Sequence, residues 1–239
     1  MTVNSQTESP RRSSPSAQPE AAATPSWAML RTLGGIATIS GLLVVLADQL
    51  TAPMIAEKQR ILTERLVFQL VPNAAAKRDF MITAEGRLEA AGEGVTGDPV
   101  YATYRADGRL EALTITGEGS GYAGPVRVMF AYDPDCACIV GSKVLKSNET
   151  PGFGDKLGTD PDFLKNFEAL DTTLDADGRA LANPIVTVKH GTKTAPWQID
   201  AISGATISSR AMGKAANAAA QRAVPIIQRE LANLLSQPK

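Results

Sequence analysis

DAISGATISS, residues 200–209, is the most informative stretch of this 239-residue chain. It lies between a strand-like tract and an alanine-rich stretch over residues 207–235, which predicts a long helix that Pro225 breaks or kinks. Small residues around a hydroxyl at a helix start let a bulky group approach the backbone, and the free N–H groups there favour an anion. The segment therefore predicts a phosphate site at the start of the last helix. The simpler interpretation is an ordinary helix cap at Ser203 or Thr206.

Upstream of this segment, short β-like runs predict a sheet. Residues 100–105 and 110–116 flank an Asp-Gly turn and alternate roughly between apolar and polar side chains, which predicts a hairpin. PDFLKNFEAL, residues 161–170, predicts a helix with Asp160 as its N-cap. Strands mixed with a few helices indicate the α+β class, as one domain over residues 75–239. The remaining strand-like runs are residues 126–132, 139–146 and 185–189.

An apolar stretch near the N-terminus predicts a single transmembrane helix. GGIATISGLLVVLA, residues 34–47, contains no charged side chain, and the apolar span of residues 27–50 is long enough for a bilayer core. Three arginines lie on its N-terminal side, whereas Asp48 is the first charge beyond it, so we expect the N-terminus in the cytoplasm. The alternative is a cleavable signal peptide, because residues 45–47 suit a cleavage site.

The segments around this span complete the predicted topology. Residues 1–26 are rich in Ser, Pro and Ala, and predict a disordered cytoplasmic tail. Residues 51–74 carry apolar side chains near a helical period and meet a stop at Pro72, which predicts a juxtamembrane helix. The domain over residues 75–239 is then exported. In a bacterium this topology gives a single-pass inner-membrane protein with a periplasmic domain.

Composition excludes several classes of function. The chain has 24 basic and 25 acidic residues, so it lacks the basic excess that nucleic-acid binding normally requires. One His and two Cys cannot furnish a zinc site of the Cys₄ or Cys₂His₂ type. Redox chemistry in this chain must therefore use an organic cofactor, and no metal-ligating set is predicted.

The pair Cys136 and Cys138 leaves alternatives open. On an extended strand, positions i and i+2 have Cα atoms about 6.5–7 Å apart, at the upper limit for a disulfide. We expect either ordinary thiols or a local disulfide bridge that has no redox function. A strained, reducible bridge and an iron–sulfur site shared with another protein of a complex are the alternatives. His190, between polar and charged neighbours, is expected at the surface.

Two motifs carry a resemblance to a known family. DAISGAT, residues 200–206, resembles the flavinylation motif of periplasmic FMN-binding domains, in which a flavin transferase esterifies FMN to the last threonine. NETPGFGDK, residues 148–156, resembles a loop of the G subunits of Rnf electron-transport complexes. The resemblance implies cofactor-binding roles for residues of both motifs: Thr206 as the covalent acceptor, with Ser203, Gly204, Ala205, Asp200, Glu149, Thr150, Pro151, Gly152 and Gly154.

The chemistry of these residues is consistent with that implication. Pro151 fixes a backbone dihedral, while Gly152 and Gly154 remove side chains, so that a flat ring system could lie against the backbone. The resemblance then lets Glu149 and Thr150 hydrogen-bond the polar edges of the isoalloxazine. It also assigns Asp200 to the sequence that the transferase reads. The alternative for the loop is a solvent-exposed Pro-Gly turn.

By resemblance, the chain is an electron-transfer subunit of a membrane-bound, ion-translocating ferredoxin/NAD oxidoreductase. It would carry FMN on Thr206 through a phosphoester and would have no substrate site of its own. Its implied partners are the other subunits of the complex, the flavin transferase and the membrane. Two alternatives are the C-type subunits of sodium-translocating NADH:quinone reductases, which share both motifs, and a membrane-tethered assembly module without redox function.

Overall fold

The computed structural model describes residues 26–152 and 154–236. The predicted disordered tail, except for its last residue, lies outside this range. The described chain forms three α-helices, two short 3₁₀ helices and nine β-strands. In chain order, they are α1 Ser26–Leu70, β1 Ala76–Ile82, β2 Leu88–Ala90, β3 Asp98–Tyr104, β4 Leu110–Ser120, β5 Pro125–Asp133, β6 Cys138–Lys146, 3₁₀ Gly154–Gly158, α2 Pro161–Leu164, 3₁₀ Lys165–Phe167, β7 Leu170–Asp171, β8 Val186–Val188, β9 Gln198–Asp200 and α3 Thr206–Ser236.

The chain divides into two compact units at Ala56/Glu57. Helix α1 runs without interruption through Pro53, so the predicted segments 27–50 and 51–74 form one helix that ends at Leu70. The apolar part of α1 is long enough to cross a membrane, by length and composition, and none of its most apolar window is buried. It is the one candidate span among the described residues.

The second unit contains a seven-stranded antiparallel sheet, with its strands in the order β2-β1-β3-β4-β5-β6-β7. The predicted hairpin is confirmed by β3 and β4, which pair from Val100 with Ile115 to Tyr104 with Leu110. Strand β5 illustrates how the core forms on one face of the sheet. Its side chains at every second position, Val126, Val128, Phe130 and Tyr132, lie on the same face, and all four are fully buried. The predicted α+β class is observed, and β8 and β9 add a separate parallel pair.

The two faces of the sheet have different covers. Helix α3 packs on β4 and β5, and its alanines at 211, 215 and 219 are buried in the main core. On the opposite face, the end of the second unit's α1 segment contributes Val67, fully buried, and Leu70 and Val71, which pack near Ala112 and Ala131. The sheet is therefore shielded on both sides near β4 and β5.

Two glycines of β4 allow α3 to lie close to the sheet. A Cβ on Gly117 would overlap the carbonyl oxygen of Ala215, and a Cβ on Gly119 would overlap that of Ala211. Real side chains cannot occupy that space without moving the helix backbone. These glycines therefore set the distance of α3 from the sheet at Ala211 and Ala215. The helix continues through Pro225, so of the predicted break or kink there, the break does not occur.

The helix predicted over residues 161–170 is shorter in the structure. Asp160 is confirmed as its N-cap, because its side chain accepts hydrogen bonds from the backbone N–H groups of Asp162 and Phe163. The α-helical turn gives way to 3₁₀ geometry at Lys165, and Leu170 instead belongs to β7. The helix does not extend to Leu170 because this residue pairs with Ile139 at the edge of the sheet.

Candidate cofactor site at the start of the last helix

A cleft of about 490 Å³ lies at the start of α3. Small-molecule sites typically measure ~300–1,000 Å³, so its size suits an organic cofactor. It brings together residues of both motifs that the sequence singled out. Its lining residues are Tyr122, Glu149, Thr150, Gly154, Gly204, Ala205, Thr206, Ile207 and Ser208.

The first turn of α3 presents backbone donors and a hydroxyl to this cleft. Gly204 adopts a φ of +83°, which reverses the chain just before the helix. The N–H of Ser209 donates to the carbonyl of Ala205 at 2.9 Å, so the three N–H groups before it have no acceptor within the helix. Thr206 is half-buried, and its hydroxyl has no hydrogen-bond partner among the described residues. This geometry suits a negatively charged group on residue 206.

The side chain of Ser209 holds the turn at Gly204 in place. Its Oγ donates to the carbonyl of Ala205 at 2.9 Å and accepts from the N–H of Ile202 at 3.0 Å, and the side chain is fully buried. The hydroxyl thus links the residues on both sides of Gly204. Sequence reasoning gave Ser209 no role, because its acceptor and donor become visible only once the turn is folded.

Glu149 connects the cleft's three segments. Its Oε1 accepts from the N–H of Ala123 at 3.0 Å, and its Oε2 accepts from the hydroxyl of Ser208. The residue is buried, with 9% of its surface exposed. The family resemblance implies that this carboxylate contacts the polar edge of a flavin. In the structure, its oxygens accept hydrogen bonds from the β4–β5 turn and from the start of α3.

The second motif divides at its proline. Thr150 and Gly154 line the cleft, and the N–H of Gly154 donates to the carbonyl of Thr150 at 3.0 Å. A Cβ on Gly154 would overlap the side chain of Glu149, so glycine is required there. Pro151 and Gly152 are exposed and do not line the cleft. They form the outer turn of the loop.

Asp200 and Ser203 lie outside the cleft, in a separate depression beside α2. The Oδ1 of Asp200 accepts from the N–H of Gly191 at 2.7 Å, and its Oδ2 lies 3.5 Å from Nδ1 of His190. The His190 side chain is 63% exposed, which confirms its predicted surface position. Asp200 therefore organises the loop after β8 in the folded chain.

A buried amide that the sequence did not reveal ties this region together. Oδ1 of Asn166 accepts from the N–H of Asp200 at 2.9 Å and from Nζ of Lys193 at 3.1 Å. Its Nδ2 donates to the carbonyl of Phe163 at 2.9 Å. Desolvation of the ammonium lowers the pKa of Lys193, and the charge of Asp200 opposes that shift. Asn166 thus holds β9, and with it the approach to the first turn of α3.

The cysteines form a disulfide, Cys136–Cys138, at the other end of β5. The extended geometry assumed for them was wrong, because residues 134–137 form a turn and Ala137 has a φ of +51°. The turn brings the two Cα atoms to 5.2 Å, well inside the usual range for a disulfide. Among the described residues, no group of three or more His, Cys, Asp and Glu side chains could hold a metal ion.

Comparison with known proteins places this site in context. A family model described as an FMN-binding domain matches residues 121–221, which include every residue that lines the cleft. The C subunit of the Na(+)-translocating NADH-quinone reductase from Parabacteroides distasonis has a similar fold, with a TM-score of 0.50. That structure is 20% identical in sequence, and the match covers 73% of this chain and 83% of that one.

Relatives by sequence are G subunits. The G subunit of the ion-translocating oxidoreductase complex from Cereibacter sphaeroides is 35% identical over 191 residues, covering 75% of this chain and 76% of the relative. The G subunit of the Na(+)-translocating ferredoxin:NAD(+) oxidoreductase complex from Acetobacterium woodii is 30% identical, covering 78% of this chain and 86% of that protein. This chain belongs to the family of G subunits of ion-translocating oxidoreductase complexes.

Proposed function

We propose that this chain is an electron-carrying subunit of an ion-translocating ferredoxin:NAD(+) oxidoreductase complex, and that its FMN is bound covalently to Thr206 through a phosphoester. The observation that carries the proposal is the cleft itself. Residues from the Glu149–Gly154 loop and from the first turn of α3 line one space beside an unpartnered threonine hydroxyl. An FMN-binding domain match over the same residues supports the identity of the cofactor.

The residues of the cleft fit FMN in chemistry as well as size. When bound, the flavin supplies reversible electron transfer, and the protein supplies position and local electrostatics. The N–H groups at the start of α3 would stabilise a phosphodiester anion on Thr206 by about 0.3–1 kcal/mol. Gly154 leaves room for the Glu149 side chain at the wall of the cleft, and Gly204, with its φ of +83°, shapes the turn beside Thr206.

Attachment requires an outside catalyst. In the proposed step, Oγ of Thr206 forms a bond to the FMN phosphorus of FAD, the anhydride bond to the AMP half breaks, and AMP leaves. The hydroxyl proton passes to a base of the transferase, with Mg²⁺ neutralising the leaving phosphate. Threonine hydroxyls are weak nucleophiles, and no His, Lys or Cys among the described residues lines the cleft to activate this one. A dedicated flavin transferase is therefore the expected partner in maturation.

The proposed location follows from the apolar part of α1. It would cross the inner membrane once, with the arginine-bearing N-terminus in the cytoplasm and the sheet domain in the periplasm. Covalent attachment suits that side, where a dissociated flavin would be lost by dilution. Protease added to spheroplasts should digest the domain, and complete protection would contradict the orientation.

Replacement of Thr206 tests the attachment. We expect Thr206→Val, co-expressed with a flavin transferase, to lose covalent flavin entirely, because the change removes the hydroxyl and preserves the shape. The measurement is in-gel flavin fluorescence together with intact mass, where the wild type should gain FMN minus one water. Thr150→Val is the matched control, since it removes the other threonine hydroxyl of the cleft and should retain the mass increment. Covalent flavin in the Thr206→Val protein would contradict the proposal.

A further inference from the structure

The β4–β5 turn places an exposed aromatic ring beside Thr206. Tyr122 lies at the tip of this turn, lines the cleft, and has 74% of its surface exposed. Large aromatic side chains seldom stand in water without a partner, because burying their apolar surface is favourable. Among the described residues, no other aromatic side chain lines this cleft. The ring is therefore a candidate for contact with whatever the cleft holds.

The turn that carries Tyr122 is held in place rather than loose. The N–H of Gly121 donates to the carbonyl of Gly124 at 2.8 Å, which closes the turn. The N–H of Ala123 donates to Oε1 of Glu149, and Oε2 of the same carboxylate accepts from Ser208 on the first turn of α3. One buried side chain thus connects the base of Tyr122 to the helix turn that begins with Thr206.

We propose that Tyr122 packs against the isoalloxazine ring of the flavin on Thr206, and that Glu149 is the positioning residue that holds it there. This inference rests on the proposed function. Stacked aromatic rings attract each other beyond the effect of the area they bury, and tyrosine loses little entropy on being ordered. Ile207, 50% exposed and in the same cleft, offers an apolar surface as well. The exposed apolar surfaces of Tyr122 and Ile207 would be covered when a flat ring occupies the cleft.

The contact has a spectroscopic consequence that does not depend on activity. A tyrosine in van der Waals contact with a flavin gives one electron to the excited ring and takes it back, which quenches flavin fluorescence. A phenylalanine at the same place can pack but cannot donate. Fluorescence lifetime therefore reports the phenol, whereas quenching by added iodide reports how well the ring is covered.

The experiment uses the full-length protein in detergent after co-expression with a flavin transferase. Covalent flavin is first quantified by absorbance and intact mass for each variant. We expect Tyr122→Leu to lengthen the flavin fluorescence lifetime several-fold and to increase the bimolecular rate constant of iodide quenching. Tyr122→Phe should lengthen the lifetime equally while that rate constant stays as in the wild type. An unchanged lifetime in Tyr122→Leu would overturn the inference.

Glu149 provides the control. Glu149→Ala, measured on its flavinylated fraction, should reproduce the lifetime of Tyr122→Leu, and Glu149→Gln, which can still accept from Ala123, should restore most of the quenching.

These outcomes separate the two proposals. A wild type without covalent flavin overturns the proposed function and this inference with it. A flavinylated wild type whose lifetime is insensitive to both Tyr122 substitutions overturns this inference alone. If Glu149→Ala keeps the wild-type lifetime, the positioning role of that carboxylate is refuted whatever Tyr122 does.

Discussion

The two ends of strand β5 are built in contrasting ways. At its start, the turn over residues 121–124 borders the cleft and is held by the Gly121–Gly124 backbone hydrogen bond and by one hydrogen bond from Ala123 to the buried carboxylate of Glu149. At its end, the turn over residues 134–137 is closed by the Cys136–Cys138 disulfide. There, the N–H and the hydroxyl of Thr172 also donate to the carbonyl of Ala137, at 3.0 and 2.8 Å.

The difference shows what a ligand site requires of a turn. A disulfide restrains a turn but offers no charged or hydrogen-bonding group to a ligand. A buried carboxylate that accepts from two separate segments fixes their spacing and keeps the space between them open. A buried charged group costs free energy, which its hydrogen bonds offset. The cleft end of β5 therefore depends on hydrogen bonds to one buried side chain, whereas the disulfide end has a covalent link.

The largest expected effect comes from the glycine that seats α3 near the cleft end. Gly119→Ala should lower the free energy of unfolding by about 1–3 kcal/mol, because its Cβ would overlap the carbonyl of Ala211. Gly92→Ala is the matched control. A Cβ at this position would meet no atom within 4 Å, so the change should alter the free energy of unfolding by less than about 0.5 kcal/mol. Urea unfolding of the full-length protein in detergent measures both. Equal effects would remove the packing argument.

The disulfide end should respond more weakly. Replacing Cys136 and Cys138 together by serine should cost about 1.5 kcal/mol of unfolding free energy, since the loop that the bridge closes is very short. Covalent flavin on Thr206 should be unaffected, because the change lies at the opposite end of β5. Reduction of the wild type with a dithiol should give a similar loss of stability. Loss of flavin from the double variant would show that the two ends are coupled.

The smallest effect concerns Tyr132, which is fully buried near the disulfide end. Desolvation raises the pKa of Tyr132 above its ordinary value of 10.0; the Gln228 hydrogen bond opposes this shift and Asp133 adds to it. The neutral phenol is thus favoured in the folded state. Its contribution to stability is complete below pH 10.0 and is lost as the pH rises through the higher folded value.

We therefore expect the unfolding free energy of the wild type to decrease between neutral and strongly alkaline pH, and that of Tyr132→Phe to decrease less. Burial also raises the pKa values of Tyr101 and Tyr104, so part of the alkaline loss should remain in the variant. Urea titrations at a series of pH values provide the comparison. Identical pH dependence in the two proteins would show that Tyr132 contributes nothing to it.

Local features were predictable because short-range physics determines them. The β3–β4 hairpin follows from alternation and from an Asp-Gly turn, where Gly108 adopts a φ of +84° and the Asp107 side chain accepts from the N–H of Arg109. The Asp160 cap follows from the same kind of local rule. The last helix follows from its alanines, although tertiary packing carried it through Pro225.

The internal supports of the site could not be predicted in this way. Glu149 and Ser208 are 59 residues apart in sequence, and no local pattern indicates that they meet. The same holds for Tyr122, which looks like an ordinary turn residue until the β4–β5 turn is placed beside α3. The error over the cysteines had a related cause, since a turn replaced the assumed extended backbone. Sequence identified the motifs, and the fold determined which of their residues share a space.

The close seating of α3 on β4 has a consequence for local opening. Helix ends usually fray, with exchange of their amide hydrogens long before the domain unfolds. Here the helix start is held by the Ser209 hydroxyl, which bonds Ala205 and Ile202, and by the Ser208 hydroxyl, which donates to Glu149, while the next two turns contact the sheet at Gly119 and Gly117. The amides from Ser209 onward should therefore exchange with solvent about as slowly as those of the central strands, which would make this helix end one of the last parts of the domain to melt.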